Sequence, residues 1–507
     1  MRVAVASSGR LGVDVGSALN LIGTFVAASS VASLFPLAVA LGYGEAPWPF
    51  LVGGASTLAL GLGLVAVTQG RERVGFREGF LVVALTWLLI PALGSIPYLV
   101  AGEAQLARPV DALFESMSGF TATGSTVVTD LDELSRSLLM WRQFTQWVGG
   151  MGIVVLALAI LPRLRVGGRQ LFQSELAGPT ELERLTASIR DTAQRLWLLY
   201  LGLTGLAIVV LATIGWTGLD EAMSPYDAVA HAFSSIAIGG FSTENRSLEA
   251  FSAATQWAIA AFVVIAGINF LRLYRAVVLR QPRAVSRDQE FRVYVGALVV
   301  GALLLLVELL ASGTLGGEAA VRHAVFQSVS IMTTAGFAST DYAAWGALAQ
   351  LTLLALMFVG ASAGSTGGSI KVIRHVVVAK VIRRELDQAV HRELVQPIRM
   401  GAGVVDERLL RSVMTFVLLY LAIFAAGAIG LVIDARVGNV EVSAFDALGA
   451  SAAALGNVGP AFGFAGPMGS YAPFSDASTG ILTALMWLGR LEIVPVVVLL
   501  TRAHWRA

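Results

Sequence analysis

Long apolar runs separated by short polar turns make up most of this chain. With about 20 apolar residues needed per bilayer crossing, ten runs qualify as spans: 15–42, 48–69, 79–101, 138–162, 195–216, 252–271, 291–312, 346–382, 409–433 and 477–501. Shorter apolar segments, such as 112–120 and 444–455, lie between some of them. They are too short to cross and long enough to reach halfway. Each such segment ends in a glycine stretch: Phe120-Thr121-Ala122-Thr123-Gly124, Ser235-Ile236-Ala237-Ile238-Gly239, Met332-Thr333-Thr334-Ala335-Gly336 and Leu455-Gly456-Asn457-Val458-Gly459. From the third span onward the order span, half-segment, span, basic turn recurs at intervals of about 100 to 120 residues. The pattern predicts a helical N-terminal transmembrane pair over 1–70 and four pore repeats over 71–165, 166–285, 286–400 and 401–507.

Non-helical backbone at mid-membrane depth must be buried in protein or line a water-filled cavity. Four half-helices ending in glycine therefore predict an all-α integral membrane fold, with four helix–pore-loop–helix repeats in pseudo-four-fold arrangement around one pore. The C-terminal end of each half-helix dipole favours a cation there. Rings of carbonyl oxygens can replace a cation's water shell, and the turn this requires is easiest at glycine. The expected ion-binding residues are Thr121 to Gly124, Ile236, Ala237, Ile238 and Gly239, Thr333 to Gly336, and Gly456 to Gly459. No Asp or Glu falls in these stretches, which favours a monovalent ion over a divalent one. Turning the chain for packing is the alternative role. Asp111 and Asp446 stand at one common distance before Gly124 and Gly459, Asp227 stands one residue off it before Gly239, and His323 lies near the same place in the third repeat. The aspartates are expected to cap the half-helices.

Composition narrows the reading further. The 507 residues are 56% hydrophobic and 14% charged, far from the quarter of charged residues usual in soluble domains. Basic residues cluster at Arg71 to Arg77, Arg163 to Arg195, Arg272 to Arg292, Lys371 to Arg411 and Arg502 to Arg506. The positive-inside rule makes these cytoplasmic and places both termini inside. The apolar stretch after Arg2 and Arg10 is too long for a signal-peptide core and reads as the first span. Absence of cysteine rules out disulfides and thiol chemistry. Five dispersed histidines with no HExxH spacing, and a Gly-Ser-Thr-Gly-Gly run with no following lysine motif, leave no enzyme, metalloenzyme or nucleotide site in view. The basic turns are explained by sidedness and do not imply nucleic acid.

Two further features bear on a gate. The eighth span is interrupted by Gly360-Ala361-Ser362-Ala363-Gly364-Ser365-Thr366-Gly367-Gly368-Ser369. With a cost of about 1 kcal/mol for each interior glycine, this run is expected to unwind and line the cavity below the ring; close helix packing by small residues is the alternative. Arg490, with Glu492 nearby, interrupts the last span. A cation at that depth faces a cavity or a partner, so Arg490 either bonds loop carbonyls and holds a gate shut or forms an ion pair. Glu308 and Arg142 read as interfacial anchors.

The glycine stretches, the run Gly360 to Val372 and Gly489-Arg490-Leu491-Glu492-Ile493 together resemble the Trk/Ktr/HKT potassium transporters, from about residue 79 to the C-terminus. The extra N-terminal pair is more similar to the TrkH branch than to the shorter KtrB. The resemblance implies K⁺ uptake through a homodimer in the bacterial inner membrane, controlled by a cytoplasmic TrkA-like ring that binds nucleotide. It also implies an intramembrane gate made of Gly360, Gly364, Ser365, Thr366, Gly367, Gly368, Lys371 and Arg490. No cofactor on the chain is implied; K⁺ is the transported ion. One glycine per stretch, against two in the TVGYG filter of K⁺ channels, implies looser discrimination against Na⁺. The alternative on the same scaffold is a Na⁺-permeable or ion-coupled symporter using H⁺ or Na⁺. Arg383 to Arg399 is a candidate docking surface for the ring or a solvated helix end.

Overall fold

A computed structural model describes residues 13–69, 75–159, 189–401, 403–438 and 440–505. The expected basic clusters at Arg71–Arg77 and Arg163–Arg195 fall largely outside them. Among the described residues, six helices are long and apolar enough to cross a membrane: Val15–Tyr43, Trp48–Val67, Arg77–Ala101, Thr192–Trp216, Gln289–Ala311 and Glu407–Gly438. Ala253–Ala266 and Phe270–Val277 are apolar enough only taken together, and they meet at a bend of 105°, as in a broken span or a re-entrant loop. Leu198, Val209, Val300, Leu418 and Ile433 are each more than half exposed on these long helices. In water such a belt would be an aggregation surface; in a bilayer it is the ordinary contact with lipid.

The remaining expected spans are not simple rods. Arg136–Ala159 is 24 residues long but turns Arg142, Gln143, Thr145 and Gln146 into the interior. The eighth span splits into Ala347–Val359 and Val372–Val390, as its glycine run predicts. The sixth and tenth also break, at 267–269 and at 491–493, where continuous spans were expected despite Asn269, Arg490 and Glu492. Hydropathy is blind to this difference, since a broken helix buried in protein stays apolar. At 491–493 the reason is visible in the backbone, because Glu492 and Ile493 both adopt left-handed conformations, φ 55° and 62°.

Four half-helices fill the spaces between the spans: Pro109–Phe120, Pro225–Ala237, Gly317–Thr333 and Ala444–Gly456. Small residues let them pack closely, and in the fourth Gly449 to Gly456 are all buried. The packing is cyclic. The second helix of each repeat lies against the half-helix of the next, and Asp476–Arg490 of the fourth lies against Pro109–Phe120 of the first. Val15–Ser29 and Trp48–Val67 pack on each other and outside the first repeat.

The aspartates do not cap these half-helices directly. Ser224 and Ser443 occupy the N-cap and accept from the backbone N–H of Asp227 and Asp446, and at the fourth half-helix the Asp446 side chain completes a capping box. Asp111 likewise lies inside the first turn. His323 falls deeper, because the third half-helix starts earlier at Gly317.

Candidate ion pathway

The four half-helices end in the same way. Backbone N–H groups of Thr123, Gly239, Ala335 and Val458 donate to the carbonyls of Ser118, Ser234, Ser330 and Ala453, each at 2.8 Å. This is the six-to-one hydrogen bond of a Schellman ending, and it requires a left-handed residue just before the donor. Ala122, Ile238, Thr334 and Asn457 occupy that position with φ of 51°, 56°, 73° and 54°. Asparagine tolerates the conformation; a β-branched residue does not, so Ile238 and Thr334 each carry strain of about 1–3 kcal/mol.

Two residues further on, each chain turns left-handed again at glycine: Gly124, Gly240, Gly336 and Gly459, with φ from 76° to 106°. The second repeat is therefore aligned by Gly240 and not by Gly239, whose expected place in the ring shifts by one. Its segment is 237–240, and Ile236 falls one residue outside. The tandem Gly239-Gly240 hides this in the sequence. With the correction Asp111, Asp227, His323 and Asp446 all stand thirteen residues before their glycines, and the apparent irregularity of Asp227 disappears.

These glycines interlock around a closed circuit. A Cβ on Gly124 would strike the carbonyl oxygen of Gly239, one on Gly240 that of Ala335, one on Gly336 that of Val458, and one on Gly459 that of Thr123. The backbone of each repeat thus touches the next, and the fourth returns to the first. Cross-repeat hydrogen bonds fix the contacts. Ser125 Oγ donates to the Gly459 carbonyl at 2.9 Å and Asn457 Nδ2 to Thr123 Oγ1 at 3.0 Å. Gln146 Nε2 donates to the Gly239 carbonyl at 2.6 Å.

Behind the circuit stands a layer of polar residues that the hydropathy pattern did not reveal. Nine residues before the reference glycine stand Glu115, His231 and Gln327 in the first three repeats, with the apolar Ala450 in the fourth. Glu115 accepts from Thr126 Oγ1 and Val127 N, both at 3.0 Å; His231 meets Ser242 Oγ at 2.9 Å; Gln327 donates to Ser339 Oγ at 3.3 Å. Each of these three polar side chains ties its half-helix to the extended segment that leaves its turn. Arg142, expected at an interface, is instead buried here. Its Nε lies 2.7 Å from Glu115 Oε1, and its guanidinium lies 4.1 Å from the Phe241 ring centroid. A carboxylate inside an apolar half-segment was the available signal, since it demands a partner.

Below the circuit the 360–369 segment crosses under three repeats. Thr366 Oγ1 donates to the Ile236 carbonyl at 3.2 Å and Gly368 N to Thr334 Oγ1 at 2.7 Å. A side chain on Gly368 would strike the Gly456 carbonyl. Ser365 Oγ bonds back to Ser362, and Lys371 Nζ to the Gly367 carbonyl. Arg490 is 3% exposed and donates to the carbonyls of Thr366 at 2.9 Å and Gly149 at 3.0 Å. Of the two expected roles, bonding to loop carbonyls is the one the geometry adopts. Glu492 pairs with Arg374, not with Arg490, because the break at 491–493 turns it to another side. Gly360, at φ 71°, and Gly364 begin and bend the segment.

The family model described as TrkH, cation transport protein, matches residues 49–504. The chain is 37% identical over 497 residues to the Trk system potassium uptake protein TrkH of Vibrio parahaemolyticus serotype O3:K6, covering 97% of this chain and 99% of that one. It is 35% identical over 499 residues to the Trk system potassium uptake protein TrkH of Escherichia coli strain K12, covering 96% and 98%. The fold is similar to the crystal structure of the potassium transporter TrkH from Vibrio parahaemolyticus, with a TM-score of 0.85 at 35% identity over 97% of this chain and 100% of that chain.

Proposed function

We propose, for a chain that belongs to the TrkH family of cation transport proteins, that it carries K⁺ into the bacterial cell through a single gated pore. The observation that bears most weight is the closed circuit Gly124, Gly240, Gly336, Gly459, in which the backbone beyond each half-helix touches that of the next repeat. Segments 121–124, 237–240, 333–336 and 456–459 form the filter, where neutral carbonyls replace the ion's water and the helix dipoles favour its charge. The 360–369 segment is the gate, with Lys371 and Arg490 as its cationic holders. Flux follows the inward potential, about 2.3 kcal/mol per charge per 100 mV. The protein works as a homodimer in the inner membrane, both termini cytoplasmic, under a TrkA-like nucleotide-binding ring. The repeat limits 71–165, 166–285, 286–400 and 401–507 are the working units of the pore.

Growth of a K⁺-uptake-deficient bacterium at limiting K⁺, with and without the co-expressed cytoplasmic partner, tests the reading. Rescue that the partner modulates supports it; no rescue in either case overturns it. Reversal potentials in mixed K⁺, Na⁺ and H⁺ gradients separate a passive pore from ion-coupled symport.

A further inference from the structure

Two helix breaks meet beneath the pore. At the elbow of the sixth span, Ser362 N donates to the Gly267 carbonyl and Phe270 N to the Gly364 carbonyl, each at 3.1 Å. Ala363 lies between these bonds, and both of its main-chain polar groups are held by side chains from outside the segment. Its carbonyl accepts from Asn269 Nδ2 at 2.7 Å, and its N–H donates to Glu290 Oε1 at 2.7 Å. Asn269 belongs to the elbow of the second repeat; Glu290 starts the first span of the third. Glu290 is 1% exposed, and its Oε2 has no hydrogen-bond partner among the described residues. Burying a carboxylate with one oxygen unpaired is unfavourable, so its bond to Ala363 is made against a standing cost.

Asn269 serves two elements at once. Its Oδ1 accepts from Leu271 N at 3.0 Å and Arg272 N at 3.2 Å, capping Phe270–Val277, while its Nδ2 holds Ala363. The capped helix has one buried edge, Phe270, Leu271 and Leu273, and an exposed one at Val277. Arg272 on it lies 2.9 Å from Asp288, two residues before Glu290. Helix, ion pair and carboxylate are therefore joined, and a tilt of Phe270–Val277 displaces both groups that hold Ala363.

We infer that Asn269 and Glu290 are positioning residues that hold the 360–369 segment across the pathway, and that Phe270–Val277 transmits displacements of the cytoplasmic face to it. This rests on reading that segment as the gate. A loop clamped by two side chains from different repeats opens when their relative position changes, which gives a cytoplasmic regulator a mechanical route to the pore without touching the filter.

The test uses full-length protein in proteoliposomes without any partner, with Rb⁺ uptake as readout. Asn269→Asp keeps the oxygen that caps the helix and loses the donor to Ala363; Glu290→Leu removes the acceptor, and Glu290→Gln retains one. The expected result is a rise in basal flux on the order of tenfold for Asn269→Asp and Glu290→Leu, the factor one buried hydrogen bond carries. Flux near wild type is expected for Glu290→Gln, and Rb⁺ over Na⁺ preference is expected to be unchanged in all three. As a second readout, Ala363→Cys in this cysteine-free chain should react faster with a membrane-impermeant thiol reagent when combined with Asn269→Asp. Unchanged flux and unchanged thiol reactivity, with Arg490→Ala still raising flux, overturns the clamp alone. Unchanged flux in Arg490→Ala as well overturns both the clamp and the gate on which it rests.

Discussion

The guanidinium of Arg490 donates to the carbonyl of Thr366 at 2.9 Å, joining the last span to the middle of the 360–369 segment. A second bond to Gly149 at 3.0 Å anchors the same group to the first repeat. Arginine suits this role because its planar fork reaches two acceptors on different elements, which an ammonium on a flexible stem does not. Removing it frees the segment from both attachments and removes a positive charge from beneath the proposed filter. Arg490→Ala is expected to raise partner-free Rb⁺ uptake in proteoliposomes on the order of tenfold or more, and Arg490→Lys to fall between. Uptake at the wild-type level in Arg490→Ala would show that this contact is structural.

The register of the second repeat yields a sharper test of the filter. Gly240 has φ 82°, and a Cβ there would strike the Ala335 backbone, whereas the first atoms a Cβ on Gly239 would meet belong to the Gln146 side chain. Backbone cannot yield; the Gln146 side chain can shift, at the cost of its bonds to the Gly239 carbonyl and Phe241 N. Gly240→Ala should therefore abolish K⁺ over Na⁺ preference or folding, with Gly239→Ala milder on both counts. The reverse order in reversal-potential measurements would restore the register in which Gly239 is the reference.

How much of this was readable beforehand depends on what hydropathy encodes. The half-helices, their glycine ends and the broken eighth span were legible, because an apolar stretch too short to cross and a run of Gly, Ala, Ser and Thr both leave a mark on composition. Repeat equivalence in Gly239-Gly240 was not, since only φ tells two adjacent glycines apart. The breaks at 267–269 and 491–493 were marked only by isolated polar residues, Asn269, Arg490 and Glu492, which do not by themselves tell a broken span from a continuous one. Arg142 and Glu115, though visible as charges, lie twenty-seven residues apart, and only the fold shows that they are a pair.

Thr334 joins the glycine circuit to the 360–369 segment, the proposed filter and gate, since its backbone belongs to the first while its Oγ1 accepts from Gly368 N of the second at 2.7 Å. Thr334→Val preserves volume and β-branching, and hence the strained turn, but leaves a buried N–H unsatisfied at a cost of about 1–3 kcal/mol. The backbone carbonyls of the proposed filter are untouched. Basal flux should rise and ion preference should stay the same; a changed preference with unchanged flux would place the Thr334 hydroxyl in the filter's own coordination.

The pair behind the filter should obey different energetics. Arg142 and Glu115 are both buried, with side chains 2% and 0% exposed, so each charge is tolerable only because the other is present. Removing one partner strands a charge in a low-dielectric interior, which costs about 3–5 kcal/mol, while replacing both by apolar groups of similar volume is often neutral. Glu115 has further obligations, to Thr126 and Val127 N, so the double replacement still leaves those donors unsatisfied. Arg142→Met and Glu115→Leu are each expected to lower detergent-solubilised thermal stability steeply. The double variant is expected to be more stable than the sum of the two losses predicts, though below wild type. Strict additivity in this double-mutant cycle would mean that the two side chains act independently, and that the bonds to Thr126 and Val127, not the ion pair, hold the first half-helix to the extended segment after its turn.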